Sequence, residues 1–121
     1  LDSEEFKNLN EADKTKVVEH PSKAVEILDH LEGMDQDIKD IVMQHHERPH
    51  GKGFPWGLKD NEINPLSNLY IICHEYAHRI ITGGLNLANM KKIDQDFREM
   101  FSSGNYAKPY KAFLEVFRSK R

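Results

Sequence analysis

From about residue 20 onward, apolar positions recur every three or four residues, the spacing that lines side chains along one face of an α-helix. In "EHPSKAVEILDHLEG", His20, Ala24, Ile27, Leu28 and Leu31 form one stripe. This predicts a helix whose inward face starts at His20. Pro21 belongs in an early turn, where its missing N–H costs least, and Gly33 suits the stop. "MDQDIKDIVMQHHE" continues the pattern through Ile38, Ile41 and Val42 to His45, behind Asp35 as N-cap. His45 therefore points inward, with His46 about 100° further round the helix. The stretch "RPHGKGFPWGLKDNEINP" holds Gly51, Gly53, Gly57 and several prolines, which excludes a helix or a central strand and predicts a shaped loop. Residues 66–81 are apolar nearly all round, with Leu69, Cys73, Tyr76 and Ile80 on one side and Tyr70, Ile71, Ala77 and Ile81 on another. Such a helix is expected to be central and buried, closed by Gly83 and Gly84. Two amphipathic helices follow, on Ile93, Phe97, Met100 and Phe101, then on Tyr110, Phe113, Leu114 and Phe117. With no alternating strand pattern and no repeat, the expected class is all-α.

Composition narrows the picture. At 121 residues the chain has room for one core, so a single domain over 1–121 is expected. No apolar run approaches the ~20 residues of a membrane span, which predicts a soluble chain. A net charge of -3 with both signs interspersed gives no footprint for DNA or RNA and no polybasic anchor. The single cysteine, Cys73, excludes an internal disulfide and fits a reducing interior. No signal peptide is evident, and an opening at Leu1 in charged, helix-prone sequence points to a piece of something longer.

The chemistry is concentrated in seven histidines. His30 falls opposite the Ala24 stripe and reads as a surface residue. A lone inward histidine is usually a hydrogen-bonded core residue, but several inward histidines on separate helices can converge on a metal. The stretch "CHEYAHRI" holds H-E-x-x-H: His74 and His78 would share a helical face, and Glu75 could polarise a water, as in zinc peptidases. The extended form of that motif fails, because Ile81 stands where a glycine is needed and no later histidine follows. Glu99 could serve as a third ligand.

A second reading uses far more of the chain. His20-Pro21, then His45-His46-Glu47, then Gly51, Gly53, Phe54, Pro55, Gly57 and Leu58 follow in order, and the pattern runs on through Ile63 and Leu69. Over about residues 9–78 the chain resembles the HD-GYP family, metal-dependent phosphodiesterases of the HD superfamily that open cyclic di-GMP. The resemblance implies a helical bundle with a Gly/Pro-rich loop before its central helix. It also implies a bi- or trinuclear metal centre, iron first, with manganese or zinc as alternatives. Metal ligands would be His20, His45, His46 and His74, activating a water, and substrate would meet Lys52, Gly53, Phe54 and Pro55. Expected partners are cyclic di-GMP and a diguanylate cyclase or other signalling protein, in a bacterial cytoplasm.

The departures matter too. His74 replaces the aspartate of the family's Val-Ala-Asp step, His50 replaces the aspartate before the glycine loop, and Phe54 replaces its tyrosine. Gly83 and Asn86 stand where the family has an arginine and a lysine suited to phosphate. The family's His-Asp dyad is absent from these residues and is expected ahead of them. Three functions follow as expectations: an HD-GYP phosphodiesterase, an enzyme once the domain is complete; a degenerate module binding a cyclic dinucleotide or a partner protein without turnover; and a zinc metallopeptidase.

Overall fold

The computed structural model describes residues 6–31 and 33–118, without the side chains of Asp60, Phe117 and Arg118, so the expected packing of Phe117 lies outside the described residues. Among the described residues there are five α-helices and no strand: α1 Glu11–Asp29, α2 Gln36–Gln44, α3 Pro65–Gly83, α4 Leu87–Phe101 and α5 Ala107–Arg118. The all-α expectation holds. The loop between α2 and α3 contains only two single 3-10 turns, Pro49–Gly51 and Asp60–Glu62. No helix among these residues is long and apolar enough to cross a membrane.

The core is built where the sequence is most aromatic. Ile71 and Ile72 of α3 meet Ile93, Phe97 and Phe101 of α4, Tyr106, and Tyr110 and Phe113 of α5, all buried. Phe97 and Phe101 cross edge to face at 5.0 Å, and Tyr76 meets Phe113 in the same way at 5.3 Å, the geometry aromatic quadrupoles favour. Helix α3 is the hub, packing on α2, α4 and α5, whereas α1 packs chiefly on α2. The α1–α2 hairpin is thin: Pro21 is its one buried residue within helix, and α2 has none.

Helix ends follow the capping rules. Asn10 and Asp35 accept from backbone amides at the starts of α1 and α2, as Asp35 was expected to do. Asn64 does more. Its side-chain oxygen caps the Leu66 amide at 2.9 Å, and its Nδ2 donates to Asp37 at 2.9 Å and Asp40 at 3.0 Å. The Asn64 backbone N–H donates to the Gln44 side chain, so one residue ties the start of α3 to the whole of α2.

Three expectations are corrected. Pro21 does not lie in an early turn, because α1 starts at Glu11 and runs through it. The stripe from His20 is only half covered: Ile27 and Leu31 are 68% and 53% exposed, since α2 shields one flank of α1 alone. Finally, α3 is central but not buried all round. Ser67, Asn68, Ile71 and Ile72 are buried, while Tyr70, Cys73, His74, Ala77 and Ile81 face outward, because no described element covers that side.

Replacing Asn64 by alanine should remove the α3 cap and the link to α2 together, lowering stability by about 1–2 kcal/mol in urea unfolding. Asn64→Asp keeps the cap but sets a third carboxylate against Asp37 and Asp40, and is expected to be destabilising as well. An unchanged denaturation midpoint for both variants would contradict this role.

Candidate metal centre

Two histidines are aimed by their own helices. His20 Nδ1 hydrogen-bonds the carbonyl of Val17, and His45 Nδ1 the carbonyl of Val42, each three residues back. A carbonyl only accepts, so both Nδ1 atoms carry hydrogen, and in the neutral ring Nε2 is left as a bare lone pair. The two Nε2 atoms then face each other 3.3 Å apart. With both rings neutral, two lone pairs at that distance have no hydrogen between them, and a proton on one ring or a metal ion shared by both resolves the conflict. The separation suits the metal ion: two imidazole nitrogens each about 2.0–2.1 Å from one ion, at angles between octahedral and tetrahedral, stand roughly 2.8–3.4 Å apart. His46 completes the group, with one ligand nitrogen from each of His20, His45 and His46 all within 4.8 Å of one another.

The electrostatics favour the neutral form of His45 and His46. Burial, then His45, His20 and Arg48, push the His46 pKa down to about 3. His45 is also lowered, first by burial and then by His20, His74 and Arg48, against the opposing bond to Val42. Neutral imidazoles with a carbonyl behind them are the form in which histidine binds metal, and the carbonyl is the usual outer partner that sets the tautomer.

The loop after the histidines is folded around Glu47. Its carboxylate is fully buried and accepts from the amides of Leu58 at 2.8 Å and Trp56 at 3.3 Å. Gly53 lies so close to this turn that a Cβ would come within 2.4 Å of His46 O, Glu47 Cα and Arg48 N. Only glycine fits there, and the contact lets Phe54 N donate to His46 O at 3.1 Å. His50 adopts a left-handed φ of 62°, a conformation that aspartate, asparagine and histidine tolerate better than most residues. The Phe54–Pro55 peptide is cis.

A cleft of about 690 Å³ opens beside the histidines, lined among others by His20, His46, Arg48, Lys52, Gly53 and Phe54. The Phe54 ring stacks on His46 at 4.7 Å and 13°. Of the predicted substrate residues, Lys52, Gly53 and Phe54 line this cleft and Pro55 does not.

His74 is not brought into the group. It is exposed on α3 and stacks on Tyr70 at 5.6 Å, and Tyr70 in turn meets the edge of His45 at 6.2 Å. One aromatic ring thus separates His74 from the cluster. Partial burial and then Arg48 lower its pKa. The H-E-x-x-H reading gains nothing, because Glu75 is held by Arg79 at 3.0 Å and Arg79 also grips Asp96 at 2.6 Å. Among the described residues, neither His74 nor His78 joins a group of three or more such ligands within reach of one another, as His20, His45 and His46 do.

Comparison with known proteins shows the family. The family model described as HD domain matches residues 2–110. This chain belongs to the HD-domain family. It is HD-GYP-like within it, being 35% identical over 80 residues to a cyclic di-GMP phosphodiesterase of Thermotoga maritima, across 64% of the chain and 21% of that protein. It is also 30% identical over 57 residues to a cyclic di-GMP phosphodiesterase of Pseudomonas aeruginosa, across 47% of the chain and 14% of that protein. The HD-domain chain thus spans about a fifth or less of the length of these relatives. No solved structure matches it significantly.

Arg48 escapes a reading by motif, and Glu47, which the His-His-Glu step marks, has a role that the step does not reveal. Arg48, directly after Glu47, lines the cleft and acts on three of the four predicted ligand histidines, yet an arginine in a loop carries no periodic signal. Glu47 serves the loop, and its signal is the demand for an acceptor in a turn rich in backbone amides.

Because the folded His46 pKa of about 3 lies below the ordinary imidazole value of 6.5, protons bind the unfolded chain first as pH falls. The metal-free protein should keep this contribution to stability above about pH 6.5 and lose it progressively toward pH 3, and His46→Gln should flatten that part of the curve. Urea midpoints measured across this range check it, and equal pH dependence in the two proteins would refute it.

Proposed function

We propose that this chain is the metal-binding part of an HD-GYP-type phosphodiesterase that opens cyclic di-GMP. The observation that carries the reading is the pair of carbonyl-anchored histidines whose Nε2 atoms face each other at 3.3 Å, with His46 alongside and a cleft at their side. The activity of the two relatives, cyclic di-GMP phosphodiesterases, supports the substrate, and their greater length supports a dyad supplied by residues outside this chain.

His20, His45 and His46 would hold the first ion, iron in preference to manganese or zinc, and His74 is proposed for a further one. Bound metal would neutralise phosphodiester charge and lower the pKa of a water. The chain's own residues supply the rest. Arg48 and Lys52 set positive charge on the cleft wall, where a phosphate next to the histidines would need it. Phe54 offers an aromatic face backed by His46 and gives a nucleobase a stacking surface. It has no hydroxyl, so it positions by contact and transfers no proton. Val17 and Val18 close the cleft with an apolar wall.

A second reading, binding without turnover, is favoured by two observations: His74 stands apart from the cluster, and neutral residues occupy positions 83 and 86. Incubating the metal-loaded full-length protein with cyclic di-GMP distinguishes them. Conversion to pGpG or GMP is expected, and a protein that loads two metals yet leaves the dinucleotide intact belongs to the non-catalytic class. Arg48→Gln should raise KM by about tenfold or more with metal content unchanged, given the strength of a charge-assisted bond to phosphate. An unaltered KM would remove Arg48 from substrate binding.

A further inference from the structure

We infer that Pro21 is a positioning residue for the metal centre, because it withholds the backbone N–H that would otherwise compete with His20 for the Val17 carbonyl. In an α-helix the carbonyl of residue 17 accepts from the N–H of residue 21. Proline has none, so α1 passes through this point with Val17 O unclaimed by the backbone, and His20 Nδ1 takes it. Sequence order makes the exchange local: the residue that loses its donor directly follows the residue that needs the acceptor.

The cost of this arrangement argues for a purpose. Proline in the eleventh position past the cap of a 19-residue helix is poorly placed, since the backbone loses a hydrogen bond and the ring crowds the preceding turn. Pro21 is also the one buried residue of α1, so its packing and its missing N–H have to be separated by substitutions that differ in volume. His45 shows the same ring-to-carbonyl bond without a proline, but it sits at the C-cap of α2, where helix carbonyls run out of intrahelical donors. Mid-helix carbonyls can take a side-chain donor on their second lone pair, as Glu11 O takes Thr15 Oγ1 at 2.9 Å, but Val17 O has no backbone N–H from residue 21 to share with the His20 ring. Proline at 21 thus does for His20 what the end of a helix does for His45, and both Nε2 atoms are left to face each other.

The consequence for metal binding rests on the proposed metal centre, whereas the ring orientation being explained does not. The test uses Pro21→Ala and Pro21→Val, which both restore the N–H while differing in volume. In the metal-free chain, nitrogen chemical shifts of the His20 ring should report hydrogen on Nδ1 in the wild type and a move toward the mixed tautomers of an unconstrained imidazole in both variants. Titration with manganese should show affinity reduced about tenfold to a hundredfold in both, the usual range for losing an outer partner of a ligand histidine. Thermal midpoints of the metal-free variants should stay level or rise. If His20 keeps its tautomer in both folded variants, or if only the alanine variant is affected, the proline acts through packing and the inference falls. A wild type that binds no manganese but shows the tautomer change would sink the metal centre and leave the role of Pro21 in aiming His20 intact.

Discussion

The candidate site depends on where two helix carbonyls find their donors. Val17 O and Val42 O each take the Nδ1 hydrogen of a histidine three residues later, and that choice turns each ring so that its second nitrogen points away from its own helix. A backbone donor on either carbonyl would compete with the ring for it and loosen the orientation by which the two lone pairs meet. Orientation from the parent helix is rigid in a way that a surface hydrogen bond is not, and rigidity is what a metal ligand requires.

The rest of the fold serves that geometry unevenly. Helices α3, α4 and α5 bury a continuous aromatic core, whereas the α1–α2 hairpin that carries the three histidines buries almost nothing. Its attachments are polar and specific: Asn64 bonded to Asp37 and Asp40, Gln44 to the Asn64 amide, Lys39 to Asp29 at 2.8 Å, and Glu47 to the loop amides. A site held this way gains from its ion, because a metal that bridges α1 to the end of α2 links elements that hydrophobic burial barely joins.

Much of this was legible in the sequence, for physical reasons that also mark the limits. Periodicity found the helices, since Ile93, Phe97 and Phe101 can share a face in only one way. Motif order marked His20, His45 and His46, which do come together, and the cleft residues Lys52, Gly53 and Phe54. Helix spacing could not show how far each apolar stripe would be covered, so Ile27, Leu31 and the outer face of α3 were expected to be buried and are not. It could not separate His74 from the cluster either, because an intervening Tyr70 ring is a fact of packing. The role of Glu47 in the loop and the place of Arg48 at the cleft depend on how the loop doubles back on α2, which spacing along the chain does not encode.

The most direct test of the central claim is anomalous diffraction from crystals of the chain grown with manganese or iron. An ion within about 2.0–2.2 Å of Nε2 of His20 and of His45, with His46 in its coordination sphere, is the predicted result. A site without metal, with one ring turned so that an N–H lies between His20 and His45, would contradict the account.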